Sequence, residues 1–146
     1  MSGGELPIRT VREGDDAVLA SVADDVFDHA VRPELVAEFL ADPRHHLVVA
    51  LDAGRVVGFA SGVHYVHPDK PAELFVNEVG VASTHRRRGL GRRLLDALLD
   101  EGRAHGCREA WVGTEPDNRA ARALYASAGG DPEAEPFVVY EFDLEG

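Results

Sequence analysis

Apolar positions change period several times along the chain, and each change marks an element. Residues 7–11 form a short strand candidate. Val18, Val22 and Val26 recur at helical spacing, so a helix is expected over residues 15–29. A second helix is expected over 33–40. Pro33 suits its first turn, Leu35, Val36, Phe39 and Leu40 form its apolar face, and Asp42-Pro43 ends it. The period then shortens. Residues 46–51 are a continuous apolar run that suits a buried strand, and Asp52-Ala53-Gly54 is a turn. Residues 55–66 should therefore pair back as a hairpin. A loop with two prolines (67–71) leads to a third strand, 73–81.

In the second half, Leu90, Leu94, Leu95, Leu98 and Leu99 mark the buried side of a helix over 89–104, with Gly106 just past its end. A strand at 108–113 carries Trp111, expected in the core. A helix over 118–128 stops at Gly129-Gly130, and a last strand is expected over 137–144. Hairpins early and strand–helix–strand units late predict an α/β fold: one mixed, mostly antiparallel sheet with helices on both faces.

Length and composition set the frame. The chain has 146 residues, 45% of them hydrophobic, which suits a single domain spanning 1–146 with its own core. Cys107 is the sole cysteine, so no intrachain disulfide forms. The first ten residues lack a signal-like apolar region, and no window offers the roughly 18 apolar residues of a membrane span. The expectation is a cytoplasmic protein without a membrane partner.

A net charge of −11 argues against nucleic acid as partner. The distribution is more telling than the sum. Nine acidic residues and only Arg32 lie between Glu13 and Asp42, and six acidic residues and no basic one lie from Asp131 onward. Against this, Arg86, Arg87, Arg88, Arg92 and Arg93 fall within eight positions. An acidic approach suits a cationic substrate.

The arginines sit where a strand runs through Gly89-Leu90-Gly91 into an amphipathic helix. The N-terminus of a helix presents unpaired N–H groups and the positive end of its dipole. Arginine is unfavourable there for the helix itself, so the cluster reads as a phosphate or pyrophosphate site. Neither a G-x-x-x-x-G-K loop nor a G-x-G-x-x-G turn is present.

Three motifs carry a resemblance. Arg86-Arg87-Arg88-Gly89-Leu90-Gly91 fits an Arg/Gln-x-x-Gly-x-Gly/Ala loop. Val79-Gly80-Val81 precedes it, and Asn118-x-x-Ala121-x-x-Leu124-Tyr125 comes after it. In this order they resemble the GNAT superfamily of N-acetyltransferases. The stretch from Glu73 to Gly89, the tail Tyr140-Glu141-Phe142-Asp143-Leu144 and Tyr65-Val66 look closest to type I aminoglycoside 3-N-acetyltransferases. Glu78 stands where that subfamily usually has aspartate, and Asn118-Arg119-Ala120 where it commonly has an acidic pair and proline.

The resemblance implies acetyl-CoA as cosubstrate. The backbone of Val79 and Val81 would hold its pantetheine arm, and the N–H groups from Arg87 through Leu90 to Arg92 its pyrophosphate. Asn118 would contact the cofactor, and Tyr125 would lie near the sulfur. It also implies a homodimer. From the residues themselves, Glu78 is the best base. In a strand of period two it shares a face with Leu74, Val76 and Gly80, where desolvation would raise its pKa toward the working range. Tyr125 is the best acid. Asp28, Tyr65 and Asp143, with Glu78, are the candidate acceptor contacts.

Cys107 has no His or acid pattern around it, and the seven histidines show no metal-ligand spacing, so neither a thiol nucleophile nor a metal is expected. The leading expectation is acetylation of the 3-amino group of 2-deoxystreptamine aminoglycosides, hence antibiotic resistance. The alternatives are acetylation of a polyamine or protein amine, and a non-catalytic acyl-CoA-binding regulatory module.

Overall fold

A computed structural model describes residues 5–132 and 137–146. The chain runs β1 (Ile8–Val11), a 3-10 turn (Asp16–Ala20), α1 (Pro33–Ala41), β2 (His45–Asp52), β3 (Arg55–His67), β4 (Lys70–Val81), α2 (Leu90–Ala104), β5 (Glu109–Trp111) and α3 (Arg119–Ser127). The strands form one five-stranded sheet in the order β1-β2-β3-β4-β5. The first three pairings are antiparallel, and β4 and β5 are parallel, joined through α2. This is the mixed α/β architecture expected from the order of periods.

The core lies on both faces of the sheet. Leu94, Leu95 and Leu98 of α2 are buried against one face. There Gly58, Gly62 and Gly102 let Leu74, Leu94 and Leu98 approach closely. The other face carries Phe59, whose ring stacks on Phe27 at 4.1 Å. Ala53 (φ 50°) and Gly54 (φ 81°) make the tight β2–β3 turn in left-handed conformations, which matches the twist of the flanking strands.

Several expectations fail. Residues 15–29 do not form a helix beyond the short 3-10 turn. Val22 instead bridges to Val56 in parallel. Ala23 N–H donates to the Val56 carbonyl, and Val56 N–H to the Ser21 carbonyl, both at 2.9 Å. β-Branched residues at helical spacing are equally at home in extended chain, and the sheet edge wins. Trp111 is not core. It is half exposed, lies over Phe75 at 4.3 Å, and its indole N–H donates to the Tyr65 hydroxyl at 2.6 Å. Residues 137–144 form no strand within the chain, and their apolar side chains are exposed.

A β-bulge reorients the second half of β4. Ser61 pairs with Glu78, but Gly62 pairs with Val76, so Asn77 is the extra residue. A bulge bends its strand and shifts the side-chain alternation by one. Leu74 and Val76 therefore face α2. Glu78 and Gly80 face the other side, with Ser61 and Phe59. This corrects the expectation that Glu78 shares a face with Leu74 and Val76. The bend also parts β4 from β5, whose pairing covers only Glu73, Leu74 and Phe75.

Candidate active site

Beyond Phe75, β4 carries no ladder partner on its β5 side among the described residues. Its outer edge from Val76 to Val81 thus borders a gap between β4 and β5, with unpaired backbone groups of the kind a ligand's amides satisfy. Val79 and Val81 lie on this edge. The Val81 carbonyl already accepts the Arg86 Nε–H at 3.1 Å.

The gap leads to the arginine loop. Ser83 N–H donates to the Asp25 carboxylate at 2.9 Å, and that bonding holds the Asp25 carboxyl below its usual range. His85 Nε2 lies 2.7 Å from the Asp52 carboxylate, tying the loop to the β2–β3 turn. Arg87 (φ 64°) and Gly89 (φ 76°) then take left-handed conformations, and Gly89 caps α2. Leu90 is buried and anchors the helix start. Among the described residues, Arg86, Arg87 and Arg88 have no carboxylate within 4.0 Å, whereas Arg92 pairs with Asp96 at 3.0 Å and Arg93 with Glu5 at 3.8 Å. Three unneutralised cations beside the open N–H groups of a helix start fit a pyrophosphate.

Gly91 serves a second purpose. A Cβ there would meet Leu124 of α3 at 3.4 Å, an ordinary contact distance, so α2 and α3 pack closely at this point and leave room for little more than a methyl group. Asn118 caps α3, its side-chain carbonyl accepting Ala121 N–H at 3.1 Å. Among the described residues, its side-chain amide N–H groups make no hydrogen bond. Tyr125 is partly buried on α3, and burial pushes its phenol above the usual range, so it stays protonated at neutral pH.

Glu78 is exposed, yet desolvation raises its pKa, with the Asp28 charge adding to the rise and His29 opposing it. The bulge thus brings Glu78 to the segment that holds Asp28 and His29. That segment lines a concavity of about 420 Å³ with Asp24, Phe27, Asp28, His29 and Val31. His29 is a neighbour that sequence reasoning misses, because the valine spacing over 15–29 points to a helix. Tyr65 is not brought to this group: it sits beside Trp111, opposite Glu73. Asp143 is exposed in the C-terminal stretch, where it accepts Glu145 N–H at 2.9 Å. Burial pushes the Cys107 thiol up, away from the thiolate a nucleophile needs.

A family model described as "Acetyltransferase (GNAT) family" matches residues 17–129. The chain belongs to the GNAT acetyltransferase family. The match covers the bulged strand, the arginine loop and α3. Among relatives, an L-2,4-diaminobutyric acid acetyltransferase of Nocardia farcinica is 41% identical over 80 residues, 55% of this chain and 40% of that protein. An N-alpha-acetyltransferase RimI of Mycobacterium tuberculosis is 40% identical over 90 residues, 62% of this chain and 54% of that protein. The chain thus spans about half the length of these relatives. Among solved structures, AAC(6')-Iy in complex with a bisubstrate analogue, CoA-S-monomethyl-acetylneamine, superposes with a TM-score of 0.78 at 21% identity, covering 96% of this chain and 99% of that one. An aminoglycoside acetyltransferase from an uncultured soil sample, solved with trehalose, gives a TM-score of 0.80 at 18% identity, covering 99% of this chain and 100% of that one. At such identities the likeness is one of fold. The aminoglycoside neighbour whose position is named is of the 6' type, not the 3-N type.

Proposed function

We propose that this GNAT protein transfers the acetyl group of acetyl-CoA directly to a primary amine of a small, multiply cationic substrate. One observation carries the reading: the bulge at Asn77 opens the β4 edge and turns Glu78 toward Asp28, beside Arg86, Arg87 and Arg88, which have no carboxylate partner among the described residues. The open edge offers backbone partners for pantetheine amides. The Arg86–Arg88 cations and the start of α2 offer a pyrophosphate cradle.

Acetyl-CoA supplies a thioester carbon open to attack by a neutral amine. An amine arrives mostly protonated at neutral pH. Glu78, its pKa raised by desolvation, takes that proton. As the C–N bond forms and the C–S bond breaks, the Tyr125 hydroxyl would donate its proton to the departing sulfur, and the resulting phenolate would take up the proton that the acylated nitrogen sheds. Asp28 and Asp24 attract the remaining ammonium groups.

The acidic segment around Asp24 and Asp28 supports an aminoglycoside acceptor, and the resemblance of 73–89 and 140–144 supports its 3-amino group. The relatives favour a second reading, a compact diamino acid such as 2,4-diaminobutyrate. A thiol-release assay over gentamicin-like 2-deoxystreptamines, 2,4-diaminobutyrate, spermidine and peptide amines, with products located by mass spectrometry, separates the two. Turnover of the diamino acid alone sinks the aminoglycoside reading. No thiol release with any amine, despite saturable acetyl-CoA binding, replaces the enzyme with a binding module.

A further inference from the structure

The acidic segment 21–31 has little regular structure to hold its shape. It is neither helix nor strand. Its backbone is tied to the sheet near its start, through Ser21, Ala23 and Val56. Phe27 then stacks on Phe59, and the Val26 carbonyl lies against Gly80. Among the described residues, the one side chain of this segment that makes a hydrogen bond is Asp25. Its carboxylate accepts the N–H of Ser83, 58 positions further along, at 2.9 Å. Asp24, Phe27, Asp28 and His29, on either side of Asp25, line the concavity given to the acceptor.

Ser83 opens the short turn Ser83–His85, which leads directly into Arg86, Arg87 and Arg88. The other end of that turn is held by His85, whose Nε2 lies 2.7 Å from the Asp52 carboxylate. Arg87 follows at φ 64°, a left-handed conformation that residues with a Cβ seldom hold without support. Such a loop, crowded with like charge, gains order when an anion bridges its cations and the helix start.

We propose that Asp25 couples the two sites: acetyl-CoA at the arginine loop fixes the Ser83 N–H, and through Asp25 it fixes the segment that receives the amine. Asp25 is thus a positioning residue, and the inference rests on the placement of cofactor and acceptor proposed above. The sign follows from which contact dominates. A pyrophosphate on Arg86 screens that arginine's attraction for Asp25, which alone would loosen the segment. Hydrogen bonding from Ser83 is the largest influence on the Asp25 carboxyl and Arg86 the smallest, so the firmer hydrogen bond wins. The coupling is positive, and linkage makes it reciprocal.

Hydrogen exchange of the full chain, read by mass spectrometry with and without saturating desulfo-CoA, tests this. In the wild type, exchange should slow by about fivefold or more over 83–92 and also over 21–31. In Asp25→Ala the slowing should persist over 83–92 and vanish over 21–31. Ser83→Pro removes the donor instead of the acceptor and should give the same separation. Proline fits there, because Ser83 begins the turn and Ala82 before it is extended at ψ 141°. Asp25→Asn keeps an oxygen for the Ser83 N–H and should retain most of the effect. Wild-type protection confined to 83–92 overturns the coupling and leaves the cofactor assignment standing. So does protection over 21–31 that survives both Asp25→Ala and Ser83→Pro. No protection over 83–92 overturns the cofactor assignment, and the coupling with it.

Discussion

Glu78 owes its raised pKa first to desolvation and second to the Asp28 carboxylate. That order has two consequences. If Glu78 removes the proton, kcat/KM rises with pH through a midpoint above the ordinary carboxylate range. Asp28→Asn should lower that midpoint, because it removes the second cause and leaves the first. Glu78→Gln keeps the shape without the basicity and should cut kcat/KM by roughly 10²–10⁴; wild-type rates from pH 6 to 9 would remove Glu78 from the mechanism. The same group bears on stability. A carboxyl raised in the folded state favours folding below its unfolded pKa and loses that contribution as pH rises through the folded one. Glu78→Gln should therefore raise the Tm at pH 7, and the difference should vanish in acid. Glu78 stands out in the sequence as a candidate base; the face it occupies does not. Period-two reading puts it with Leu74 and Val76, and one extra residue at Asn77, which no composition signals, turns it to the opposite side.

At the scale of elements, the close packing of β4 on the segment 21–31 depends on Gly80. A Cβ there would lie 2.8 Å from both the Val26 carbonyl oxygen and the Phe59 ring. The backbone oxygen cannot swing aside as a side chain can. Gly80→Ala should destabilise by about 1–3 kcal/mol, read as a fall in the urea midpoint at constant slope. Gly91→Ala meets only Leu124 at ordinary contact distance and should keep the fold, whereas the branched Gly91→Val should push α3 away from α2 and weaken acetyl-CoA binding in calorimetry. The elements with strong local signals were legible: Pro33 and the Leu35–Leu40 stripe gave α1, the leucine stripe gave α2, and Ala53-Gly54 gave the hairpin. The segment 21–31 was not, since its conformation is set by Val56 and Ser83 far along the chain, contacts that valine spacing does not encode. The final strand rests on alternation alone, which states what a segment seeks and not whether its own chain supplies it.

Across the whole molecule, charge and titration divide between two ends of the sheet. Near the arginine loop, the acidic segment around Asp24 and Asp28 should bind a polycation less well as salt rises. The effect should fall mainly on KM, since exposed charges are screened over about 10 Å at 0.1 M. Asp28→Asn should raise KM in the same direction without touching acetyl-CoA affinity. At the far end of α2, His46, His64 and His105 gather; His46 Nε2 lies 2.7 Å from His64 Nδ1, and the His46 and His105 rings are 4.6 Å apart. Burial lowers the His46 pKa to about 4, with His105, His64, His45 and Arg12 adding to it. The fold thus accepts His46 only as neutral imidazole. That stability is complete above the unfolded pKa of about 6.5 and is lost as pH falls toward 4, a loss on the order of 3 kcal/mol. Thermal midpoints should drop across that window, and His46→Leu should flatten the drop. If the variant loses stability in acid as steeply as the wild type, the histidines are not its cause. The gap between β4 and β5 has a consequence of another kind. A ligand whose amides line that edge becomes part of the fold, adding about 2.7 kcal/mol at a hundredfold excess over its Kd. The lifetime of this protein against proteases would then track the supply of a metabolite, and a cell short of it would clear the protein faster.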